Sequence, residues 1–233
     1  MRSLVVLGAK EHAKVVVATL EDSTAPGWKV MGFLDDNPTL HGTTLLDRPV
    51  LGPMSMLEEL ARSGAVDGAL IGVSCGHMPV RARLFRRVLD LGLEVPTVIS
   101  PAAFVHRTAR LGRGGAVFAG AVLHAFATVG DNFVAYSNAV VEHECVLGDN
   151  VYLGPNVSFC ANCRVGDDTF IATGASVIAP HTGSDVIVGA GAVVVDDVPD
   201  GAVVAGVPAR ILQQRRDDER RRSYTLRKEP RAV

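Results

Sequence analysis

Short apolar runs alternate with helical periodicity over the first hundred residues. Leu4 to Leu7 is an apolar run closed by Gly8, and Glu11 to Glu21 follows with the spacing of a helix. Val30 to Leu34 is a second run, ending at Asp35 and Asp36. Met54 to Arg62 reads as helical, Ala69 to Val73 as a buried strand, Pro79 to Leu91 as a helix with a basic face, and Val95 to Ile99 as a last strand. This order predicts a parallel sheet of about four strands joined by right-handed crossovers. The ligand crevice of such a sheet lies beyond the carboxyl ends of its strands, here Gly8-Ala9-Lys10, Asp35-Asp36 and Gly72-Val73-Ser74.

From Ile99 the pattern changes to a period of six. Every sixth residue through Val177 is apolar, and the position four residues later is mostly small or β-branched. Two inward positions in six, one bulky and one small, suit a narrow tube of short parallel strands. The frame slips by one residue near His181 to Asp185 and resumes at Val188. The chain therefore divides into an α/β domain over 1–98, a repeat domain over 99–210 and a tail over 211–233.

Composition narrows the function classes. A chain of 233 residues at 48% hydrophobic has material for a packed core, and no stretch reaches the length of a membrane-spanning helix. With no signal peptide evident, the cytoplasm is the expected location. The formal net charge of -2 is unevenly spread, with the basic excess confined to the tail around Arg215, Arg216 and Arg220 to Arg222. That tail lacks an apolar stripe and is expected to be a mobile, solvated extension rather than a nucleic-acid or membrane contact. Four cysteines without a secretory context argue against a disulfide framework. Cys160 and Cys163 have the spacing of a metal pair but no second pair to complete a site, and Cys163 falls on a small inward position.

Two places carry chemistry. Gly8-Ala9-Lys10-Glu11-His12 opens a helix after a strand, where free backbone N–H groups can hold a diphosphate. It is not the dinucleotide fingerprint, since Lys10 and Ala13 stand where two glycines belong. Asp35 either reads a ribose or base or caps the turn at the sheet edge. The second place is His143, which interrupts an apolar run between Glu142 and Glu144. A coil of three hexapeptides, as in the β-helices that this repeat resembles, would put His106, His124 and Glu142 in one column beside it. A histidine suits proton removal near neutral pH, and a neighbouring carboxylate can orient it.

The repeat resembles the left-handed parallel β-helix of the hexapeptide acyltransferases. With an α/β domain in front, the chain is more narrowly similar to the bacillosamine N-acetyltransferase and sialic acid O-acetyltransferase family. The matching pieces are Val141-Glu142-His143-Glu144-Cys145-Val146-Leu147-Gly148, Phe33-Leu34-Asp35-Asp36 and Gly206-Val207-Pro208-Ala209, and the resemblance spans about residues 1 to 212. It implies a Rossmann-like parallel α/β domain followed by a left-handed β-helix, assembled as a homotrimer with active sites between subunits. It also implies acetyl-CoA as co-substrate, no metal, and a nucleotide-linked amino sugar as acceptor. By the same resemblance His143 is the general base and Glu144 its orienting partner. Donor contacts fall near Tyr152, Ala161, Thr173 and Gly191, with the Ala161 N–H stabilising the oxyanion. Gly8, Ala9, Lys10, His12, Asp35, Asp36, Gly72 and Tyr136 are the acceptor side.

The chain departs from the family pattern at three places, two of them where sugar or nucleotide groups would be read. Its glycine-histidine loop lacks the second glycine, Tyr152 replaces a second histidine that meets the donor, and Tyr136 replaces an asparagine. Two other enzyme readings compete with N-acetyl transfer. One is O-acetylation of sialic acid or another glycan, which uses the same base. The other is a zinc hydratase, whose paired histidines are not reproduced by His106, His124 and His143. A trimeric nucleotide-binding scaffold is the non-enzymatic alternative.

Overall fold

The computed structural model describes residues 1–23 and 27–214. Its first part is a five-stranded sheet of β1 (Arg2–Leu7), β2 (Trp28–Leu34), β3 (Thr44–Leu45), β4 (Arg48–Gly52) and β5 (Gly68–Ile71), in the order β3-β4-β2-β1-β5. β1 lies between β2 and β5, parallel to both, and β2 is parallel to β4. The helices are α1 (Glu11–Asp22), α2 (Leu57–Arg62) and α3 (Met78–Asp90). Met54–Met56, expected to be α-helical, is a 3-10 turn leading into α2. The antiparallel hairpin of β3 and β4 has no counterpart in the expected order, because a two-residue strand leaves no periodic signal.

β1 is buried on both sides, as a central parallel strand must be. Leu4 and Val6 pack with α1, while Val5 and Leu7 pack with α2 and α3, so the two-residue strand period splits the domain into two cores. The α1 side is not closed by the α/β domain alone. Ala116, Phe118, Val134 and Tyr152 of the repeat domain complete it, so the two domains share one apolar layer.

The expected last strand, Val95 to Ile99, does not join this sheet. Of that stretch and its flank, Glu94 alone bridges to Gly68, and Val98–Ile99 instead pairs with Ala116–Val117 as the first rung of the tube. An apolar run looks the same whichever sheet receives it, and the bond from the Gly114 N–H to the Val95 carbonyl already belongs to the coil.

The second part is a parallel β-helix, left-handed as the resemblance implies. Its rungs are two residues long, and each stacks on the strand three hexapeptides further along, as in Val122 with Val140 and Val134 with Tyr152. Three faces result. The first carries Val98–Ile99, Ala116–Val117, Val134–Ala135 and Tyr152–Leu153; the second Phe104–Val105, Val122–Leu123 and Val140–Val141; the third Arg110–Leu111, Thr128–Val129 and Val146–Leu147. Leu123, Val141, Leu147 and Ile171 fill the axis, with Ala121, Ala139 and Cys145 in the tight positions between them. The corners turn through residues at positive φ, mostly glycine, asparagine or aspartate, which tolerate that conformation best.

The slip lies at 178–180 rather than at His181 to Asp185. Ile178 and Ala179 both donate to the Val194 carbonyl, and coils that span this point are one residue shorter, as in the pairing of Phe170 with Ile187. Ala179 takes the inward place and His181 is exposed, contrary to the uninterrupted frame. At the far end Ala202–Ala205 extends the first face, and Arg210–Gln214 returns antiparallel to it. The tail thus begins later than 211, because Ile211, Gln213 and Gln214 pair with that strand. The remaining tail residues, 215–233, lie outside the described residues.

Candidate functional site

A cleft of about 610 Å³ opens at the carboxyl ends of β1, β2 and β5. Two glycines shape its floor. Gly8 has φ of 108° and a Cβ there would stand 2.9 Å from the Gly72 carbonyl oxygen, while a Cβ on Gly72 would meet that of Ala13 at 2.8 Å. Only glycine lets the ends of β1 and β5 approach this closely. α1 begins at the cleft wall with no side-chain cap, so its first N–H groups are left for a ligand or water.

Asp35 caps the turn at the sheet edge while also lining the cleft. Its Oδ2 accepts from the Ala9 N–H at 2.9 Å and its Oδ1 from the Asn37 N–H at 2.9 Å. Both oxygens therefore hold the loops together, and Ala9 is engaged beneath the cleft rather than on its wall. Asp36 likewise accepts from the Met54 N–H at 2.8 Å.

Beneath the cleft lies a buried polar and aromatic cluster that joins the domains. Tyr136 Oη is 2.8 Å from His12 Nδ1, and Arg81 Nη1 is 3.5 Å from His12 Nε2. Arginine can only donate, so these partners place the ring proton on Nδ1 and direct it to Tyr136. Burial first, and the Arg81 charge second, hold the His12 pKa down at about 3. The imidazole is neutral at physiological pH. Tyr152 lies tilted against Tyr136 with ring centroids 5.6 Å apart, and burial pushes the Tyr152 hydroxyl well above its usual range.

Arg81 is the residue that sequence reasoning misses. Its charge assigns it to the basic, solvent-facing surface of the helix, yet it is 1% exposed. Its position three residues after Met78 and four before Phe85 is the available signal, since those residues mark the buried stripe of α3. It donates to the Val73 carbonyl at 2.5 Å and to Asn132 Oδ1 at 2.9 Å. From Asn132 the bonds continue to Asn150 and then to the Asp168 carboxylate, each at 2.7 Å. Burial lowers its pKa to about 10, so the guanidinium stays charged.

His143 and Glu144 sit elsewhere, at the corner between the second and third faces, and both are exposed. The expected column is present: the His106 and His124 rings are parallel with centroids 6.4 Å apart, and His143 follows His124 at 6.3 Å. The His143 N–H donates to Glu142 Oε2 at 3.3 Å. One coil further on, among the described residues, the Ala161 N–H has no hydrogen-bond partner within the chain.

Of the acceptor-side residues, Gly8, Lys10, His12, Asp35, Asp36, Gly72 and Tyr136 line the one cleft, together with Tyr152 and Thr173. The structure does not bring His143, Glu144 or Ala161 to that cleft. The α/β domain rests on the first face, and the His143 corner is the edge of the triangular tube opposite that face. Gly191 shares the Thr173 corner, between the first and second faces. Among the described residues no three His, Cys, Asp or Glu side chains are grouped to hold a metal ion, and no helix is long and apolar enough to cross a membrane. Cys163 is buried in the tube and Cys160 is exposed at the corner, both as free thiols.

Comparison with known proteins agrees with this two-part layout. A family model described as the PglD N-terminal domain matches residues 3–88, and one for the bacterial transferase hexapeptide (six repeats) matches residues 144–179. The chain is 35% identical to PerB from Caulobacter crescentus, solved in complex with CoA and GDP-perosamine, over 91% of this chain and 97% of that one, with a TM-score of 0.82. Two further structures of that perosamine N-acetyltransferase carry asparagine or alanine in place of one histidine. Identity to the acetyltransferase domain of PglB from Neisseria gonorrhoeae FA1090, solved in complex with acetyl coenzyme A, is 34% over 91% of this chain and 99% of that one, with a TM-score of 0.82. WeeI from Acinetobacter baumannii AYE is 29% identical over 90% and 99%, with a TM-score of 0.74. No match is found among curated proteins.

Proposed function

Because the chain belongs to the hexapeptide-repeat acyltransferases that carry a PglD-type N-terminal domain, we propose that it acetylates the 4-amino group of a nucleotide-linked deoxyamino sugar. It is an acyltransferase with acetyl-CoA as its co-substrate. The observation that carries the finer reading is the pairing of an exposed His143-Glu144 corner with a separate cleft of nucleotide size at the strand ends.

In this reading the acceptor diphosphate meets the first N–H groups of α1 and Lys10, where the helix end favours negative charge. His143 takes the proton from the amine as its nitrogen attacks the thioester carbonyl carbon. The free Ala161 N–H faces the developing oxyanion. The C–S bond then breaks, and the CoA sulfur leaves with the proton that His143 returns. Glu144 orients and neutralises the imidazolium. The cleft and the base belong to different edges of one chain, so a complete site needs the cleft of one subunit and the His143 corner of the next. This supports a homotrimer as the working assembly.

The experiment is incubation of the protein with acetyl-CoA and a panel of nucleotide-linked amino sugars, GDP-perosamine included, read by mass and by the position of the new acetyl group. An amide on the sugar is the expected product. Transfer to a sialic acid hydroxyl, or to none of the acceptors, would overturn the reading.

A further inference from the structure

The corners of the tube repeat a left-handed residue every six positions, with φ of 56° at Asn132, 59° at Asn138 and 54° at Asn150. Between 114 and 191 the described residues in this slot are glycine, asparagine or aspartate with two exceptions, Phe126 at φ 62° and Glu144 at φ 60°. The exceptions are one coil apart and stack on the same corner, Glu144 directly after His143 and Phe126 one coil before it. A bulky side chain at positive φ is a conformational outlier, and phenylalanine has no local hydrogen bond to offset it. Phe126 is also 60% exposed, in a tube whose other apolar side chains mostly point inward. Two costs fall on one side chain. Its backbone is nonetheless fixed, with its N–H on Thr108 Oγ1 at 3.0 Å and the Glu144 N–H on the adjoining Ala125 carbonyl at 3.1 Å. Strain held in place by its surroundings points to a role for the side chain.

We propose that Phe126 is a specificity-determining residue for the acceptor, its ring receiving the apolar C–H and C6-methyl side of a deoxyamino sugar. The inference rests on the acetyl-transfer reading above. There the Ala161 N–H that faces the oxyanion lies on the coil after His143, whereas Phe126 lies on the coil before it, at the same corner. The thioester thus takes the Ala161 side of His143 and leaves the Phe126 side to the acceptor. A ring without a polar handle discriminates by apolar contact alone, which a 6-deoxy sugar supplies and its 6-hydroxyl counterpart does not.

The test is Phe126→Asn in the full-length protein, which installs the residue that the corner otherwise prefers. Against GDP-perosamine, or the panel member that the parent protein acetylates fastest, kcat/KM should fall about ten- to a hundredfold, the range of a lost apolar contact in a specificity pocket. Preference for the 6-deoxy acceptor over its 6-hydroxyl counterpart should shrink by a similar factor. The KM for acetyl-CoA and the mass by light scattering should not change, and the melting temperature should hold or rise. Unaltered acceptor kinetics, a weakened donor, or loss of assembly would each overturn the proposal, the last by making Phe126 an interface residue. Failure of the parent protein to acetylate any amino sugar is a separate result that removes the function reading itself.

Discussion

The buried His12 and the exposed His143 place the same side chain in opposite surroundings. His143 stands at a corner open to solvent, where a base can exchange its proton. Assisted proton removal in an acyl transfer is worth about 10² to 10⁴ in rate, so His143→Ala should lose roughly that factor in kcat while its acetyl-CoA affinity, measured by calorimetry, is retained. Glu144→Gln should lose less, because the base remains. His12 instead resists protonation. Its pKa in the folded chain, about 3, lies below the ordinary 6.5, so between those values the unfolded chain binds a proton that the folded one refuses. Stability is therefore full above about pH 6.5 and falls as the pH is lowered toward 3, by about 1.4 kcal/mol per pH unit at most. Melting temperatures recorded from pH 7 to 4 should show this decline, and His12→Gln should flatten it.

At the scale of elements, the corner ladder ties the tube to α3. Asn150 accepts from Asn132 and donates to Asp168 and to the Met78 carbonyl, while holding positive φ. Asn150→Ala loses these bonds and places alanine in a left-handed conformation, at a cost of about 2–4 kcal/mol. Asn156→Gly, at an exposed corner that glycine accepts, should stay within about 0.5 kcal/mol. Urea titration of the two variants separates the cases. The inward Leu and Val series is visible in the sequence as a six-residue beat, whereas the corner asparagines stand out only once their positive φ is seen. What is not visible follows from the same physics. The Val98 run is apolar in either sheet, a two-residue strand such as Thr44–Leu45 has no period, and Arg81 is hidden because its charge outweighs its place on the buried stripe of α3. Asp35 is legible as a functional position, but only its backbone partners show it clamping loops.

For the whole molecule, the residues of the candidate site are largely legible, and their arrangement is not, because sequence does not say which face of the tube receives the α/β domain. That docking separates the cleft from the His143 corner, so the proposed mechanism requires assembly. Light scattering should give about three times 24.5 kDa. Co-expressed Lys10→Glu and His143→Ala chains, each nearly inactive alone, should recover about a quarter of parental turnover, since random mixing pairs an intact cleft with an intact neighbouring base at that frequency. No recovery would place the site within one chain. The stacking of coils has a further consequence for how such a molecule can change. Inserting one hexapeptide rotates everything beyond it by one face, whereas inserting three carries it about 4.8 Å along the axis with no rotation. Reach and direction are thus separate, quantised variables: the tube can be lengthened like a graduated rod while each side chain keeps its bearing toward its neighbours.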